Sequence, residues 1–168
     1  AYALSDVCFV YPITPSTPMA QTVESRSARH ERNAYGQPVV VRQMQSEAGV
    51  AGALHGALAS GALASTFTSS QGLPTLYKIA GEGLPLVVHL AARAVSANGV
   101  TIHSDHSDVY AVRQTGVALL SSHSVQEAAD LAAKYACVLS KRFVYSRDGT
   151  RPAKRHCAYS QHEDQQEE

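Results

Sequence analysis

The sequence is poor in several things that common protein classes need. It has no tryptophan and only three phenylalanines. Its three cysteines, Cys8, Cys137 and Cys157, are odd in number, far apart and never arranged as CxxC. That pattern excludes a disulfide framework, a zinc finger and an iron–sulfur cluster held by this chain alone, and reads as reduced thiols of an intracellular protein. Charged residues make up 17%, against a usual share of roughly 25%. The 14 Lys and Arg balance the 14 Asp and Glu, so no basic footprint for nucleic acid or an anionic membrane exists. No apolar run reaches the roughly 18 residues of a membrane span. The opening AYALSDVCFV has no basic n-region and no small-residue cleavage site, hence no secretory signal. It also lacks an initiator Met, so the chain reads as a fragment. No GxxxxGK[ST], no GxGxxG after a strand and no GxSxG elbow occurs.

What is present is a core. The chain has 168 residues, 45% of them apolar, enough for one well-packed domain. Charge is uneven: residues 1–139 hold 17 of the 28 charged side chains. So little charge on so long a stretch implies a surface covered by other domains or subunits, or a poorly soluble chain. Residues 1–149 are expected to form the domain. Residues 150–168, TRPAKRHCAYSQHEDQQEE, are polar and mixed in charge and read as a disordered tail.

Short β-branched runs alternate with helical segments. Strands are expected at Val7–Tyr11, Val39–Val41, Ala64–Thr68, Leu86–Ala91, Val117–Leu120 and Phe143–Tyr145. The second is expected to be buried, as its continuous valines suggest. After the first strand comes PITPSTP, whose three prolines impose a stiff loop. Ser16 or Thr17 is expected to cap a helix over 18–30, Ser46 a helix over 47–60, and Ser124 a helix over 125–139. Shorter helices are expected over 73–81 and 108–114. In the helix over 47–60, Gly49, Gly52 and Gly56 recur at helical spacing, so another backbone is expected to pack tightly there. The alternation implies an α/β fold with a mainly parallel sheet flanked by helices. Ligands in such folds sit beyond the C-terminal strand edges, here the segments 12–17, 43–47, 69–72 and 92–94.

Two charged residues in these segments stand out. Glu47 opens a nearly charge-free helix, with only Arg42 nearby to oppose it. It is either a helix N-terminal acid favoured by the macrodipole or a desolvated carboxyl suited to proton transfer. Arg93 follows a buried strand with no acid within ten residues on either side. It either pairs with a distant acid or binds an anionic ligand, above all a carboxylate. His103, Asp105, His106 and Asp108 lie close together, but a hydrogen-bonded loop explains them better than a metal site, since no distant ligand set is evident.

YPITPSTPMA, GQPVVVRQMQSEAGVAGALHGALASGALASTFTSSQGL, YKIAGE, HLAARAV and SDHSDVYAVRQTGVALL, in this order, resemble the N-terminal domain of the pyruvate:ferredoxin (flavodoxin) oxidoreductases. The resemblance runs from Ala1 to about Ala132, more loosely through FVYSRDG at 143–149. Four departures stand out: the family's opening helix is missing or short, about four apolar residues are absent between Leu73 and Pro74, the family's Trp near Arg26 is missing, and its FRTSHE segment gives way to TRPAKRHCAYSQ.

The resemblance implies a thiamine-diphosphate-binding fold, its pyrimidine-binding module. It implies oxidative decarboxylation of pyruvate with coenzyme A to acetyl-CoA, carbon dioxide and reduced ferredoxin or flavodoxin. The family's cofactor-facing Glu falls on Glu47, which would hydrogen-bond N1′ of the aminopyrimidine and so promote loss of the C2 proton of the thiazolium. Its substrate-contacting Thr falls on Thr14 and its carboxylate-binding Arg on Arg93. The magnesium ion, the iron–sulfur clusters and the coenzyme A site would belong to the missing domains, and the full-length enzyme would be a homodimer in the cytoplasm or an organelle matrix. The chain alone is expected to be inactive. A truncated module that only pairs with intact subunits, and a related oxidoreductase for another 2-oxoacid, are the alternatives.

Overall fold

The computed structural model describes residues 1–138 and 144–147. Six strands form one sheet in which every pairing is parallel: β1 (Val7–Val10), β2 (Val40–Gln43), β3 (Ala64–Thr68), β4 (Leu86–Leu90), β5 (Ala118–Leu120) and β6 (Val144–Arg147). Five helices connect them: α1 (Thr17–Ala28), α2 (Glu47–Ala59), α3 (Tyr77–Gly81), α4 (Ser107–Val112) and α5 (Val125–Val138). The strand order is β2-β1-β3-β4-β6-β5. The expected α/β class is therefore the observed one.

The order has a direct consequence. From β1 the chain steps outward to β2, then returns past β1 to β3. The reversal opens a crevice at the C-terminal ends of β1 and β3, where parallel sheets bind ligands. Because all strands run the same way, the four edge segments expected to meet do lie along one edge.

Alternation along the strands separates two cores. On one face Val7, Ala64, Leu86, Val88 and Leu90 pack under α2, which contributes Val50, Leu54 and Leu58 at four-residue spacing. On the other, Cys8, Val10 and Phe67 pack under α1 through Met19, Ala20 and Val23. Burial pushes the Cys8 thiol up to about 11, so it stays a thiol and a small apolar filler. His89 is also buried on this second face. Its ring stacks on Phe67 at 5.2 Å, and desolvation holds its pKa well below the usual value.

Four expectations need correction. β2 is an edge strand starting one residue later than expected, and it is mostly exposed; Val39, just before it, is the buried valine. An edge strand has a neighbour on one side only, so continuous valines do not by themselves place a strand at the centre. The helix expected over 73–81 starts as a 3₁₀ turn at Pro74–Leu76, becomes α-helical only in α3, and is preceded by a separate 3₁₀ turn at Ser70–Gly72. Ser16 does precede α1, but its hydroxyl donates back to the Ile13 carbonyl at 2.9 Å instead of accepting from the helix. Finally, among the described residues no backbone packs tightly against the glycines of α2, and only the Ser46 and Met44 side chains come close to Gly49. Nothing approaches within 4 Å of a Cβ placed at Gly52 or Gly56. The caps expected elsewhere are present: Ser46 accepts from Gly49 N at 3.0 Å and Ser124 from Glu127 N at 3.2 Å. The tail at 150–168, Phe143 and Cys157 lie outside the described residues. Among the described residues, no helix is long and apolar enough to cross a membrane.

Candidate functional site

Glu47 stands on the first turn of α2, placed there by the Ser46 cap. It lines a cleft of about 230 Å³ with Tyr11 from the end of β1 and Thr66, Phe67 and Thr68 from β3. Among the described residues, no side chain or backbone group pairs with the Glu47 carboxylate, and Arg42 forms no ion pair with it. The floor of the cleft is Gly72. A Cβ there would lie 2.1 Å from Thr68 Oγ1 and 3.0 Å from Glu47 Cγ. Only glycine fits, and its bareness keeps the carboxylate accessible.

Arg93 follows β4 and is 4% exposed. Its Nη1 donates to the Thr14 carbonyl oxygen at 2.6 Å, across the end of β3. Its Nε is buried without a partner. The structure thus brings Thr14 and Arg93 together. The distant acid that might have neutralised Arg93 is absent among the described residues. A guanidinium out of water with one neutral acceptor has most of its hydrogen-bonding capacity unused. Glu47, Thr14 and Arg93 all stand on segments that leave the C-terminal ends of the strands, Glu47 after β2, Thr14 after β1 and Arg93 after β4, and neither Thr14 nor Arg93 lines the cleft around Glu47.

The residues after β3 connect the two places. Thr68, Ser69 and Ser70 are all buried. The Ala91 N–H donates to the Thr68 carbonyl at 3.2 Å, Ser69 Oγ donates to the Ala91 carbonyl, and Ser70 Oγ donates to the Ala94 carbonyl at 2.6 Å. Ser70 adopts φ 50°, a left-handed conformation that a serine holds only when its surroundings fix it. Asp108, completely buried at the start of α4, supplies part of that fixation. Its Oδ2 accepts from the backbone N–H of Ser70 and of Arg93, each at 3.0 Å, and its Oδ1 from Val109 N at 2.7 Å. Desolvation nonetheless raises its pKa above the ordinary carboxylate value.

The sequence puts Ser70 and Gly72 in an edge segment and reads Asp108 as hydrogen-bonded, as observed, but gives none of them a part in the site. Gly72 gave a faint signal as the last residue of SSQG. The role of Asp108 gave none, because its partners lie 15 and 38 residues away. The acidic and histidine cluster around it is dispersed: Asp108 points inward, while Asp105 accepts from Ser107 N at 2.6 Å. Among the described residues, no group of three potential ligands is poised for a metal.

A parallel α/β sheet whose strand edge presents a carboxylate and a buried guanidinium, neither paired with an opposite charge among the described residues, has the layout of the α/β domains that bind ligands at that edge. Sequence comparison makes that class specific. Residues 1–146 match the family described as pyruvate flavodoxin/ferredoxin oxidoreductase, thiamine diphosphate-binding, and the chain belongs to that family. It is 56% identical over 137 residues to pyruvate-flavodoxin oxidoreductase of Enterobacter agglomerans, covering 79% of this chain and 12% of the relative. It is 54% identical over 158 residues to pyruvate:ferredoxin oxidoreductase of Moorella thermoacetica, covering 90% and 14%. To the mitochondrial pyruvate dehydrogenase [NADP(+)] of Euglena gracilis it is 57% identical over 136 residues, covering 79% and 8%. The chain thus spans about a tenth of the length of these relatives. The fold is also that of the 2-oxoglutarate:ferredoxin oxidoreductase from Magnetococcus marinus, solved with 2-oxoglutarate, coenzyme A and succinyl-CoA bound. The TM-score is 0.73 at 20% identity, covering 89% of this chain and 27% of that one.

Proposed function

We propose that the chain is the N-terminal, pyrimidine-binding part of an oxidoreductase that decarboxylates pyruvate with coenzyme A and passes the electrons to ferredoxin or flavodoxin. The observation that carries this reading is the Arg93 guanidinium: buried, without a carboxylate partner among the described residues, and bonded there only through Nη1 to the Thr14 carbonyl. A charge in that position is compensated when a carboxylate arrives, and a 2-oxoacid brings one.

The residues of the cleft fit thiamine diphosphate. Glu47 is free to take a ring nitrogen, and Gly72 leaves room beside it. When bound, that cofactor supplies the electron sink that decarboxylation of a 2-oxoacid needs. Glu47 holds a proton at N1′ of the aminopyrimidine and thereby sets the tautomer of that ring. Tyr11 offers aromatic surface on the wall of the cleft. Arg93 holds the substrate carboxylate, and Thr14 orients its carbonyl end. The magnesium ion, the clusters and the coenzyme A site belong to parts of the full-length relatives beyond this chain, and assembly as a homodimer in the cytoplasm or an organelle matrix accompanies them. Pyruvate is favoured over other 2-oxoacids because relatives at 54–57% identity carry it in their names.

Arg93→Lys, in a full-length oxidoreductase carrying this domain, tests the reading. A point charge replaces a planar fork, and losing the bidentate pair is expected to cost about 2–3 kcal/mol of pyruvate affinity. An unchanged KM and kcat for pyruvate would refute it.

A further inference from the structure

Arg93 is held by an unusual arrangement. Its side chain spans the end of β3 to Thr14, so the direction of the guanidinium depends on where the Arg93 backbone sits. Beyond β4 the N–H groups of Ala91 and Ala94 donate to the backbone carbonyls of Thr68 and His103, but the N–H of Arg93 itself goes to a side chain. One oxygen of a completely buried carboxylate takes it. Asp108 Oδ2 takes the Arg93 N–H and the Ser70 N–H together, each at 3.0 Å. The same oxygen therefore ties the segment after β4 to the segment after β3. The Ser70 hydroxyl closes the loop by donating to the Ala94 carbonyl at 2.6 Å. Ser70 also sits in the left-handed region, which its own side chain does not favour. Neither Ser70 nor Asp108 lines the cleft around Glu47.

We infer that Asp108 is the positioning residue for substrate-carboxylate recognition: by seating the backbones of Ser70 and Arg93 on one buried oxygen, it aims the Arg93 guanidinium at the ligand. The inference rests on the reading of Arg93 given above. A carboxylate is suited to the task because it accepts at both oxygens, and here it meets only backbone N–H donors. Asparagine keeps one acceptor for the shared pair but presents an NH₂ where Val109 N–H needs an acceptor. Alanine leaves three donors without their acceptor. Displacement of a recognition group by about an ångström costs up to about a hundredfold.

The experiment uses Asp108→Asn, Asp108→Ala, Arg93→Ala and the two double variants in a full-length oxidoreductase carrying this domain. The readouts are KM and kcat for pyruvate, the Kd of oxamate (a non-reacting isostere of pyruvate) by calorimetry, and melting temperature. Asp108→Ala is expected to raise KM and the oxamate Kd by about ten- to a hundredfold, more than it lowers kcat. Asp108→Asn is expected to raise them by about threefold, a partial rescue. In the Arg93→Ala background neither change should add to the loss, since a residue acting through Arg93 has nothing left to act on. If Asp108→Ala does not fold, Asp108→Asn alone and combined with Arg93→Ala carries the same comparison. If the Asp108 variants lower only the melting temperature, or multiply fully with Arg93→Ala, Asp108 is structural and the inference falls while the reading of Arg93 stands. If Arg93→Ala leaves KM and Kd unchanged, the reading itself fails and takes the inference with it.

Discussion

The two places at the sheet edge are built on opposite plans. Around Glu47 the protein leaves chemistry open: the carboxylate has no partner among the described residues, and a glycine keeps its surroundings bare. Around Arg93 nearly everything is bonded. Asp108, Ser69, Ser70 and Thr14 pin the segments after β1, β3 and β4 to one another. The guanidinium itself keeps Nε in reserve, as the neighbouring His89 does its Nε2. The difference teaches how a half-site divides its work. A group that exchanges a proton with a ligand must not be satisfied in advance. A group that orients a ligand must be fixed before the ligand comes, and its fixation is built from backbone bonds that the ligand does not disturb.

The sharpest way to break this contrast is Glu47→Gln in a full-length oxidoreductase carrying the domain. The amide keeps the shape but does not exchange a proton with N1′, so hydrogen–deuterium exchange at the thiazolium C2 should slow by about 10²–10⁴-fold. Were Glu47 only a helix N-terminal acid, the loss would be a stability change of roughly 0.3–1 kcal/mol with normal exchange.

Gly72→Ala tests the open side by filling it. The added Cβ meets Thr68 Oγ1 at 2.1 Å, so Thr68 or the loop must move. Overpacking of this kind costs about 1–3 kcal/mol. Denaturation of the chain should report that loss, and thiamine diphosphate binding by the full-length protein should weaken with it. Normal stability would mean the loop yields freely and that the cleft is not pre-formed.

The smallest effect concerns the bonded side's neighbour, His89. Burial lowers its folded pKa below that of the unfolded chain. The unfolded state therefore binds the extra proton, and stability falls as pH drops below about 6.5. The slope reaches about 1.4 kcal/mol per pH unit for one proton. His89→Phe, which preserves an aromatic stack on Phe67, should flatten the denaturation profile between pH 7.5 and 5.5. A profile with the same slope in His89→Phe would assign the linkage to other groups.

Much of this architecture was legible along the chain. The strand runs, the caps at Ser46 and Ser124, and the isolation of Glu47 and Arg93 all rest on local patterns, and local patterns report local forces. The legible part stopped where geometry depends on distance. β2 looked buried because its valines are continuous, yet strand order decides burial, and order is set by how the crossovers pack. Gly49, Gly52 and Gly56 looked like a packing face, yet spacing shows which residues share a side of a helix, not whether anything covers it.

The site divides the same way. The sequence by itself determined that an acid would open α2 and an arginine would follow β4, because residue type and capping act within a turn or two of chain. Only the tertiary structure decided that Arg93 reaches the Thr14 carbonyl, 79 residues away, that Gly72 must be bare beneath Glu47, and that Asp108 holds Ser70 and Arg93 on one oxygen. Those contacts form between segments that the parallel sheet brings to a common edge. Hydrogen bonds and van der Waals contacts act over a few ångströms of space, whatever the separation along the chain.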